Sequence, residues 1–374
     1  MNSVTRPVYL TAGDILTGAG DLQSTWEALL AGQTALRPYQ LEKTEVQPLG
    51  IIPDLGGEMG TTTRLERLLE RLFQHLPPLP AATPLICATT KGAIDEIFDH
   101  PTAQSGQIWQ LAEYIRSTLG LNGESSTVSA ACASGTIALI QGAMRIGLGE
   151  CEQVLVVGLD LLSSFVVGGF NSLKGLSATP CRPFDHHRDG LSLGEGGGWL
   201  LLSGSPPTGT TPPCQLAAWS VSCDATHITA PCRQASGLGR VLEEIINQST
   251  VRIGAINGHG TGTVYNDAME LLAFDRLLEP GTPLHSVKGC IGHCLGGAGV
   301  IEAAIAAKSL ETNLIPPTVG LNEPEKTAMN CTGKTAVPLT HPAVLSCNSG
   351  FGGINAAVLL KHPPCRREGP ESRQ

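Results

Sequence analysis

Apolar runs and helical stripes alternate along the first half of this chain. Short apolar runs at 84–89, 155–158 and 198–202 predict buried strands, because this length is typical of strands rather than of helices. A helix is predicted at 133–147. Its apolar residues recur three and four positions apart, which predicts a stripe that faces the core. The stripe consists of Ile137, Ile140, Met144 and Leu148.

The second half repeats this alternation, which together with the first half implies an α/β protein with buried sheets. Helices are predicted near 237–248, 267–278 and 299–311, and strands near 253–257, 343–346 and 355–361. The turn-rich stretch at 203–213 is the best internal boundary. It divides the chain into an N-terminal half at 1–205, a C-terminal half at 206–365 and a polar tail at 366–374.

Composition excludes several classes of protein. With 374 residues, of which 41% are apolar and 15% charged, the chain is not disordered. The net charge of -9 argues against a nucleic-acid binder. No apolar run is long enough to span a bilayer, and the N-terminal residues lack the apolar segment of a signal peptide. We therefore expect a cytoplasmic protein whose scattered cysteines are mostly small buried residues.

One cysteine lies where chemistry is expected. Cys132 stands in Val128-Ser-Ala-Ala-Cys-Ala-Ser-Gly-Thr136, a small-residue turn between a strand and the predicted helix at 133–147. The positive end of the helix dipole is expected to stabilise a thiolate there and to lower the pKa of the thiol. On this local sequence alone, a nucleophile and a buried structural cysteine remain equally open.

Two histidines lie in glycine-rich loops far downstream. His259 stands in Asn257-Gly-His-Gly-Thr-Gly-Thr263, and His293 in Lys288-Gly-Cys-Ile-Gly-His-Cys-Leu-Gly-Gly-Ala-Gly299. Glycines allow the backbone to approach a ligand closely, and two histidines with one cysteine indicate a thiol acyltransferase. A zinc site at Cys290, His293 and Cys294 is disfavoured because a second ligand pair is missing. No metal is expected.

In these motifs the chain resembles the β-ketoacyl-acyl carrier protein synthases, the elongating condensing enzymes of the thiolase superfamily. Further matches follow in order along the chain: Cys181-Arg-Pro-Phe-Asp185, Arg188-Asp-Gly190, Gly194-Glu-Gly-Gly-Gly198, Asn266-Asp267, Ile315-Pro-Pro-Thr318 and Gly350-Phe-Gly-Gly-Ile-Asn355. The resemblance implies a thiolase-like fold, with two pseudo-duplicated α/β halves in a layered αβαβα arrangement.

The resemblance also implies a reaction. Cys132 takes an acyl group from a carrier thioester, and backbone N–H groups of Cys132 and Phe351 hold the oxyanion. His259 and His293 hydrogen-bond the carbonyl of malonyl-acyl carrier protein and stabilise the enolate that decarboxylation forms. The enolate attacks acyl-Cys132 and elongates a fatty acid or polyketide chain, a polyene included. No cofactor is required, because the substrates are carried on the phosphopantetheine of acyl carrier protein.

Other positions take supporting roles by the same resemblance. Lys288 and Glu302 match a buried pair behind the histidines, and Phe351 matches the gate of the acyl pocket. Thr261 and Thr263 match pantetheine-binding threonines, although turn residues in a glycine loop are nearly as good an interpretation. Three charged residues brace a loop: Asp185, Arg188 and Asp189.

A helix predicted at 61–72 is expected to dock the acidic carrier. Its arginines recur three and four apart on one face, opposite a stripe of leucines. These arginines are Arg64, Arg67 and Arg71. The alternative is a solvated helix whose arginines pair with Glu66 and Glu70.

The chain departs from the family pattern in three places. Asn348-Ser349 directly precedes Gly350, where a second phenylalanine is usual, and Gly297 replaces a common alanine. The chain is also short between residues 40 and 110. These departures leave acyl-chain length and partner choice open, with a homodimer and a heterodimer with a ketosynthase paralogue both possible.

Two other functions remain as alternatives. A chain-length-factor-like subunit of a heterodimeric ketosynthase would have the same fold, but such subunits usually lose the nucleophile. A thiolase acting on coenzyme A would need a second catalytic cysteine, and the sequence after Cys347 does not fit that role.

Overall fold

A computed structural model describes residues 6–41, 44–57, 62–94, 106–206, 214–326 and 332–363. The strands are β1 (Val8–Thr17), β2 (Gly20–Asp21), β3 (Leu36–Tyr39), β4 (Gln47–Gly50), β5 (Leu85–Ala88), β6 (Ser125–Val128), β7 (Gln153–Asp160), β8 (Gly196–Ser203), β9 (Cys214–Cys223), β10 (Ile253–Asn257), β11 (Leu284–His285), β12 (Leu314–Ile315), β13 (Val337–Pro338), β14 (Ala343–Gly350) and β15 (Ile354–Lys361). The helices are α1 (Leu22–Leu30), α2 (Thr62–Leu72), α3 (Trp109–Thr118), α4 (Ser134–Gly147), α5 (Ser164–Ser172), α6 (Ser236–Gln248), α7 (Val264–Leu277), α8 (Lys288–Ile291) and α9 (Ala298–Thr312).

The two halves of the chain repeat one strand order. The N-terminal half gives the order β6-β5-β7-β8-β1, and the C-terminal half gives β11-β10-β14-β15-β9. In each half the first three strands pair in parallel and the last two are antiparallel. The halves join where β1 pairs with β9. The division at residue 205 stays a prediction, because residues 207–213 lie outside the described part, as does the tail at 366–374.

Helices and sheet alternate in five layers. Helices α4 and α9 pack against each other and against strands of both halves, so they form the middle layer. Helices α2 and α3 cover the outer face of the N-terminal half, and α6 and α7 cover the outer face of the C-terminal half. The expected αβαβα arrangement is therefore confirmed. None of the described helices combines the length and apolar character that a bilayer span requires.

The predicted core stripe of helix α4 is wrong at its C-terminal end. Met144 is 45% exposed and Leu148 is 58% exposed, whereas Leu139, Ala143 and Ile146 are buried. A helix of the middle layer packs on sheet above and below, so its buried surface is wider than one stripe and uses small residues. A spacing pattern that assumes a single buried face fails at such a position.

The glycine at position 297 is explained by close packing in the middle layer. A Cβ atom at this position would lie 3.0 Å from the carbonyl oxygen of Gly196 and 3.1 Å from the Cα of Leu159. Both neighbours are backbone atoms, which move only with their strands. The substitution of the usual alanine by glycine thus fits the close approach of the short 3₁₀ turn Leu295–Gly297 to β7 and β8.

Arg64 is not a docking residue, contrary to the expectation from its helical face. Its side chain is buried and forms an ion pair with the fully buried Glu195, which directly precedes β8. Glu195 also accepts backbone N–H groups of Ile52 and Leu162. Arg67 and Arg71 are exposed and donate to the carbonyls of Leu55 and Pro53. Only these two arginines stay candidates for contact with a partner.

The burial of this ion pair leads to a stability prediction. Arg64→Ala leaves the Glu195 carboxylate buried without its counter-charge, which typically costs about 3–5 kcal/mol. The exposed Arg67→Ala is the matched control and should change the free energy of unfolding by less than about 1 kcal/mol. Urea unfolding measures both. Equal small losses for the two variants would contradict the buried ion pair.

Candidate active site

Cys132 lies in a strained turn immediately before helix α4. Ala131 adopts a left-handed conformation, with a φ of 50°, which is uncommon for a residue with a side chain. Ser134 stabilises this turn, because its hydroxyl accepts the N–H of Ala130 at 2.8 Å and donates to the carbonyl of Ala131 at 2.6 Å. The turn presents the sulfur of Cys132 at the N-terminal end of the helix.

The thiol of Cys132 lies 2.9 Å from Nε2 of His293. The backbone N–H of Phe351 also points at the sulfur. Burial raises the pKa of the thiol to about 12, against a smaller lowering effect of Lys288. The expectation of a lowered pKa is therefore wrong in the resting site. The thiol is therefore neutral in the resting site, because desolvation of its charged form is the largest effect.

His259 is fixed in one tautomer by two donors. Both Nζ of Lys288 and Nδ2 of Asn348 lie 3.2 Å from its Nδ1. Neither an ammonium nor an amide NH₂ accepts a hydrogen bond, so Nδ1 must be the acceptor and the proton resides on Nε2. His259 therefore presents an N–H donor to the cavity.

The donors to His259 belong to a buried polar network. Nζ of Lys288 lies 2.5 Å from Oε1 of Glu302, and Asn348 donates to Oε2 of the same carboxylate at 2.7 Å. Thr136, one turn beyond Cys132 on α4, donates to Oδ1 of Asn348 at 2.5 Å. In the sequence, Asn348 stands out only as a neighbour of the altered closing motif. Its role depends on contacts between distant segments, which spacing does not reveal.

The two histidines are neutral and face each other. Their rings meet edge to face, with centroids 5.1 Å apart. Burial is the main cause that holds the pKa of both imidazoles well below the usual range, and the positive charge of Lys288 adds to it. Both rings are thus uncharged at neutral pH, and neither forms an ion pair with Cys132 at rest.

His293 differs from His259 because no hydrogen bond from the described residues fixes its Nδ1. Its loop is held by backbone bonds, with its N–H donating to Ser192 and its carbonyl accepting from Gly194. Gly292 has a φ of 77°, which allows the close turn before it. Nδ1 of His293 is buried and has no hydrogen-bond partner among the described residues. Its Nε2 can therefore accept or donate.

Buried carboxyls brace the loop that holds His259. Glu270 accepts the backbone N–H groups of His259 and Gly260 at 2.6 and 2.7 Å, and Asp267 accepts that of Thr261 at 3.0 Å. Burial, followed by the neighbouring Asp267, raises the pKa of Glu270 to about 8. These two buried carboxyls thus fix the geometry of the loop that holds His259.

The expected loop-bracing residues are seen in this role. Asp185 accepts the backbone N–H groups of Asn322 and Glu323, each at 2.8 Å. Arg188 donates to the carbonyl of Asp185 and to Glu325, and Asp189 accepts from a neighbouring serine hydroxyl. These contacts tie the loop before β8 to the segment after β12.

A cavity of about 430 Å³ leads from Cys132, His259 and His293 to the surface. Thr261 and Thr263 line it, with their hydroxyls 2.8 Å apart. Phe351, 37% exposed, stacks on Phe170 with ring centroids 5.8 Å apart. Ser349 lines the cavity too, where its hydroxyl donates to Asn355 at 2.8 Å. The pantetheine and gate roles of these residues stay predictions.

The cysteine and two histidines also have the composition of a metal site. One ligand atom of each residue lies within 4.8 Å of the others. However, the two donors at Nδ1 of His259 keep the proton on Nε2, and a protonated nitrogen is not a ligand. The donor set therefore does not fit a metal ion in this protonation state.

Two family models match the chain. "Beta-ketoacyl synthase, N-terminal domain" matches residues 88–206, and "Beta-ketoacyl synthase, C-terminal domain" matches residues 214–322. Cys132 lies in the first match, and both His259 and His293 lie in the second. The nucleophile candidate and the histidine candidates thus come from different matched domains.

Similar proteins carry related names. The tetracenomycin polyketide synthase ketoacyl synthase alpha subunit of Streptomyces glaucescens is 29% identical over 362 residues, which cover 91% of this chain and 81% of the relative. The 3-oxoacyl-[acyl-carrier-protein] synthase 2 of Vibrio cholerae is 31% identical over 65% of this chain and 63% of its own length. A structure of a Xenorhabdus doucetiae ketosynthase in complex with its chain length factor has a TM-score of 0.84, at 26% identity, and covers 97% of this chain and 100% of the matched chain.

The contacts of Asn348 lead to a prediction about the tautomer of His259. Asn348→Leu keeps the approximate volume but removes one donor to Nδ1 and one donor to Glu302. Release of carbon dioxide from a malonyl thioester should fall by about 10- to 100-fold, because the donor at Nε2 is no longer fixed. Acyl loading of Cys132 should remain near the wild-type rate and serves as the control for folding. Equal loss in both steps would contradict a specific effect on His259.

Proposed function

Since the chain belongs to the β-ketoacyl synthase family, we propose that it catalyses decarboxylative Claisen condensation of an acyl-Cys132 enzyme with malonyl-acyl carrier protein. The product is a fatty acid or polyketide chain elongated by two carbons. The main support is the 2.9 Å contact of Cys132 with His293 beside the fixed Nε2–H of His259, at the base of an open cavity. One nucleophile and two uncharged histidines match the needs of this reaction.

The first step transfers the acyl group to the enzyme. Nε2 of His293 accepts the proton as the sulfur of Cys132 attacks the thioester carbonyl. The N–H of Phe351, which points at the sulfur in the resting site, lies where an oxyanion would form beside it. The carrier thiol leaves with the proton that Cys132 lost. A thiol with a pKa of about 12 needs such a proton acceptor, because little thiolate is present at neutral pH.

The second step forms the carbon–carbon bond. The malonyl carboxylate leaves as carbon dioxide, and the electron pair forms an enolate on the thioester. The Nε2–H of His259 donates to the enolate oxygen, and His293 can also donate once its proton resides on Nε2. The enolate carbon attacks the carbonyl of acyl-Cys132, the carbon–sulfur bond breaks, and the released thiolate takes one proton from solvent. Neutral histidines suit this step, since a hydrogen bond stabilises the enolate without protonating it.

Several wider expectations belong to the same proposal. Substrates arrive on the phosphopantetheine of acyl carrier protein, and the protein itself needs no further cofactor. The assembly is a homodimer or a heterodimer with a ketosynthase paralogue, as in the similar ketosynthase and chain length factor complex. The cytoplasm is the proposed location, which suits free thiols: the described cysteines are not paired.

A chain-length-factor-like role is the second candidate, and the similar heterodimeric complex favours it. It requires only the fold and the shape of the pocket. The buried network behind His259 argues for the condensing role, because a subunit without chemistry has no need of a fixed Nε2–H. Acylation of Cys132 separates the two candidates.

Removal of the sulfur should abolish condensation. Cys132→Ala is expected to leave the fold intact, since the residue is small and its neighbours keep their packing, but to give no acyl-enzyme. Intact-mass spectrometry with a panel of acyl-carrier thioesters measures the acylation, and the Cys151→Ala variant is the control for a thiol away from the cavity. An acyl group on another cysteine, or full condensation by the Cys132 variant, would be decisive against the proposal.

The two histidines should affect different steps. His259→Ala is expected to load Cys132 at a near-normal rate but to lose about 100- to 1,000-fold in malonyl decarboxylation, as for loss of one donor to developing charge. His293→Ala should slow both steps, because its nitrogen contacts the thiol directly. Single-turnover loading and release of labelled carbon dioxide measure the steps separately. Identical profiles of the two variants would overturn this division.

A further inference from the structure

Arg233 has an unusual environment beside the mouth of the cavity. Its guanidinium donates to no oxygen of the described residues, whereas most of the other described arginines donate to at least one. Its Cζ instead lies 4.9 Å above the ring of Tyr265, which lines the cavity and is 57% exposed. The stack orients the guanidinium and leaves its N–H donors free.

A second cation lies at the same opening. Lys174 follows helix α5, lines the cavity and is exposed, and its ammonium forms no ion pair with the described residues. The acidic residues of the lining are already engaged. Asp224 accepts from Asn355 and from the N–H of Cys232, and Asp189 accepts from Ser177 and lies 3.7 Å from Arg182. Arg233 and Lys174 thus provide two positive charges beside the mouth that form no ion pair with the described residues, on a chain whose net charge is -9.

We propose that Arg233, held by Tyr265 and assisted by Lys174, binds the phosphate of the phosphopantetheine arm. The inference rests on the proposed function for the identity of its ligand. Guanidinium and phosphate match in geometry and charge, and a stacked arginine loses little further freedom when it binds. The thioester end of the arm then lies toward Cys132, while the phosphate stays at the surface.

This phosphate subsite is separate from the carrier-docking candidates Arg67 and Arg71. The phosphate occurs both on carrier-bound arms and in coenzyme A, so the subsite alone does not choose between these donors. Selectivity between them depends on the surface around the mouth. The subsite itself predicts a preference for any donor that has the phosphate over one that lacks it.

The test compares acylation of Cys132 by acyl-phosphopantetheine and by acyl-pantetheine, which lacks the phosphate. The wild-type protein should prefer the phosphorylated donor in kcat/KM, and Arg233→Gln should reduce this preference by about tenfold. Tyr265→Leu, which removes the ring under the guanidinium, should reduce it by a smaller factor. The effect should appear mainly in KM, and raised salt should weaken the wild-type preference.

Arg252→Gln is the matched control, because it removes an exposed arginine that pairs with Glu279 on the surface. It should leave the preference unchanged. Acylation by acyl-coenzyme A and by acyl-carrier thioesters then identifies the source of the phosphate. If acylation by both donors depends on Arg233, the two share the phosphate subsite. If acylation by only one donor depends on Arg233, the subsite belongs to that donor. An unchanged ratio in Arg233→Gln, or equal loss on both pantetheine donors, would overturn the subsite. Failure of the wild-type protein to accept acyl-pantetheine and every other donor would instead count against the proposed function.

Discussion

The buried ion pair of Lys288 and Glu302 is the interaction on which the candidate site depends. Each side chain is 1% exposed, and neither charge is tolerable in the core without the other. The pair gives Lys288 a fixed position, from which its ammonium donates to Nδ1 of His259, and Asn348 connects the same carboxylate to the same nitrogen. A desolvated charge pair is thus used to hold an uncharged imidazole in one tautomer. The positive charge of Lys288 also helps to keep both histidines neutral.

The duplicated fold brings these groups together. Helices α4 and α9 meet in the middle layer, α4 with Cys132 just before its first turn and α9 with Glu302 in its first two turns. The loop after β10 supplies His259, the turn after α8 supplies His293, and β14 supplies Asn348. Close backbone approach is required where the helices meet: a Cβ atom at Gly299 would lie 2.3 Å from the backbone nitrogen of Thr136. The small residues of the motifs are therefore a packing requirement of the middle layer as much as a feature of the substrate path.

Sequence patterns predicted the local features well and the non-local ones poorly. Strands such as β7 and β8 and helices such as α6 and α9 are strongly periodic or apolar, and the structure has them within a few residues of the predicted bounds. Strand β9 was not predicted, because its burial alternates and its sequence includes several polar residues. The predictions that Arg64 lies on the surface and that Met144 lies in the core were wrong. Both positions depend on what packs against the helix, which the spacing of residues along the helix does not reveal. The pKa of Cys132 was wrong for a similar reason: the helix start is visible in the sequence, but the desolvation is not.

Burial and the two donors at Nδ1 keep His259 as a neutral Nε2–H donor, and the proposed condensation depends on this state. Ring ¹⁵N NMR of the labelled protein measures this directly between pH 8 and pH 5.5, with the signals of His259 assigned by comparison with the His259→Asn variant. Because the folded-state pKa of His259 lies well below its usual range, the Nε2–H tautomer should persist without protonation across this interval. Conversion to imidazolium near pH 6.5, or a dominant Nδ1–H tautomer at neutral pH, would contradict the account.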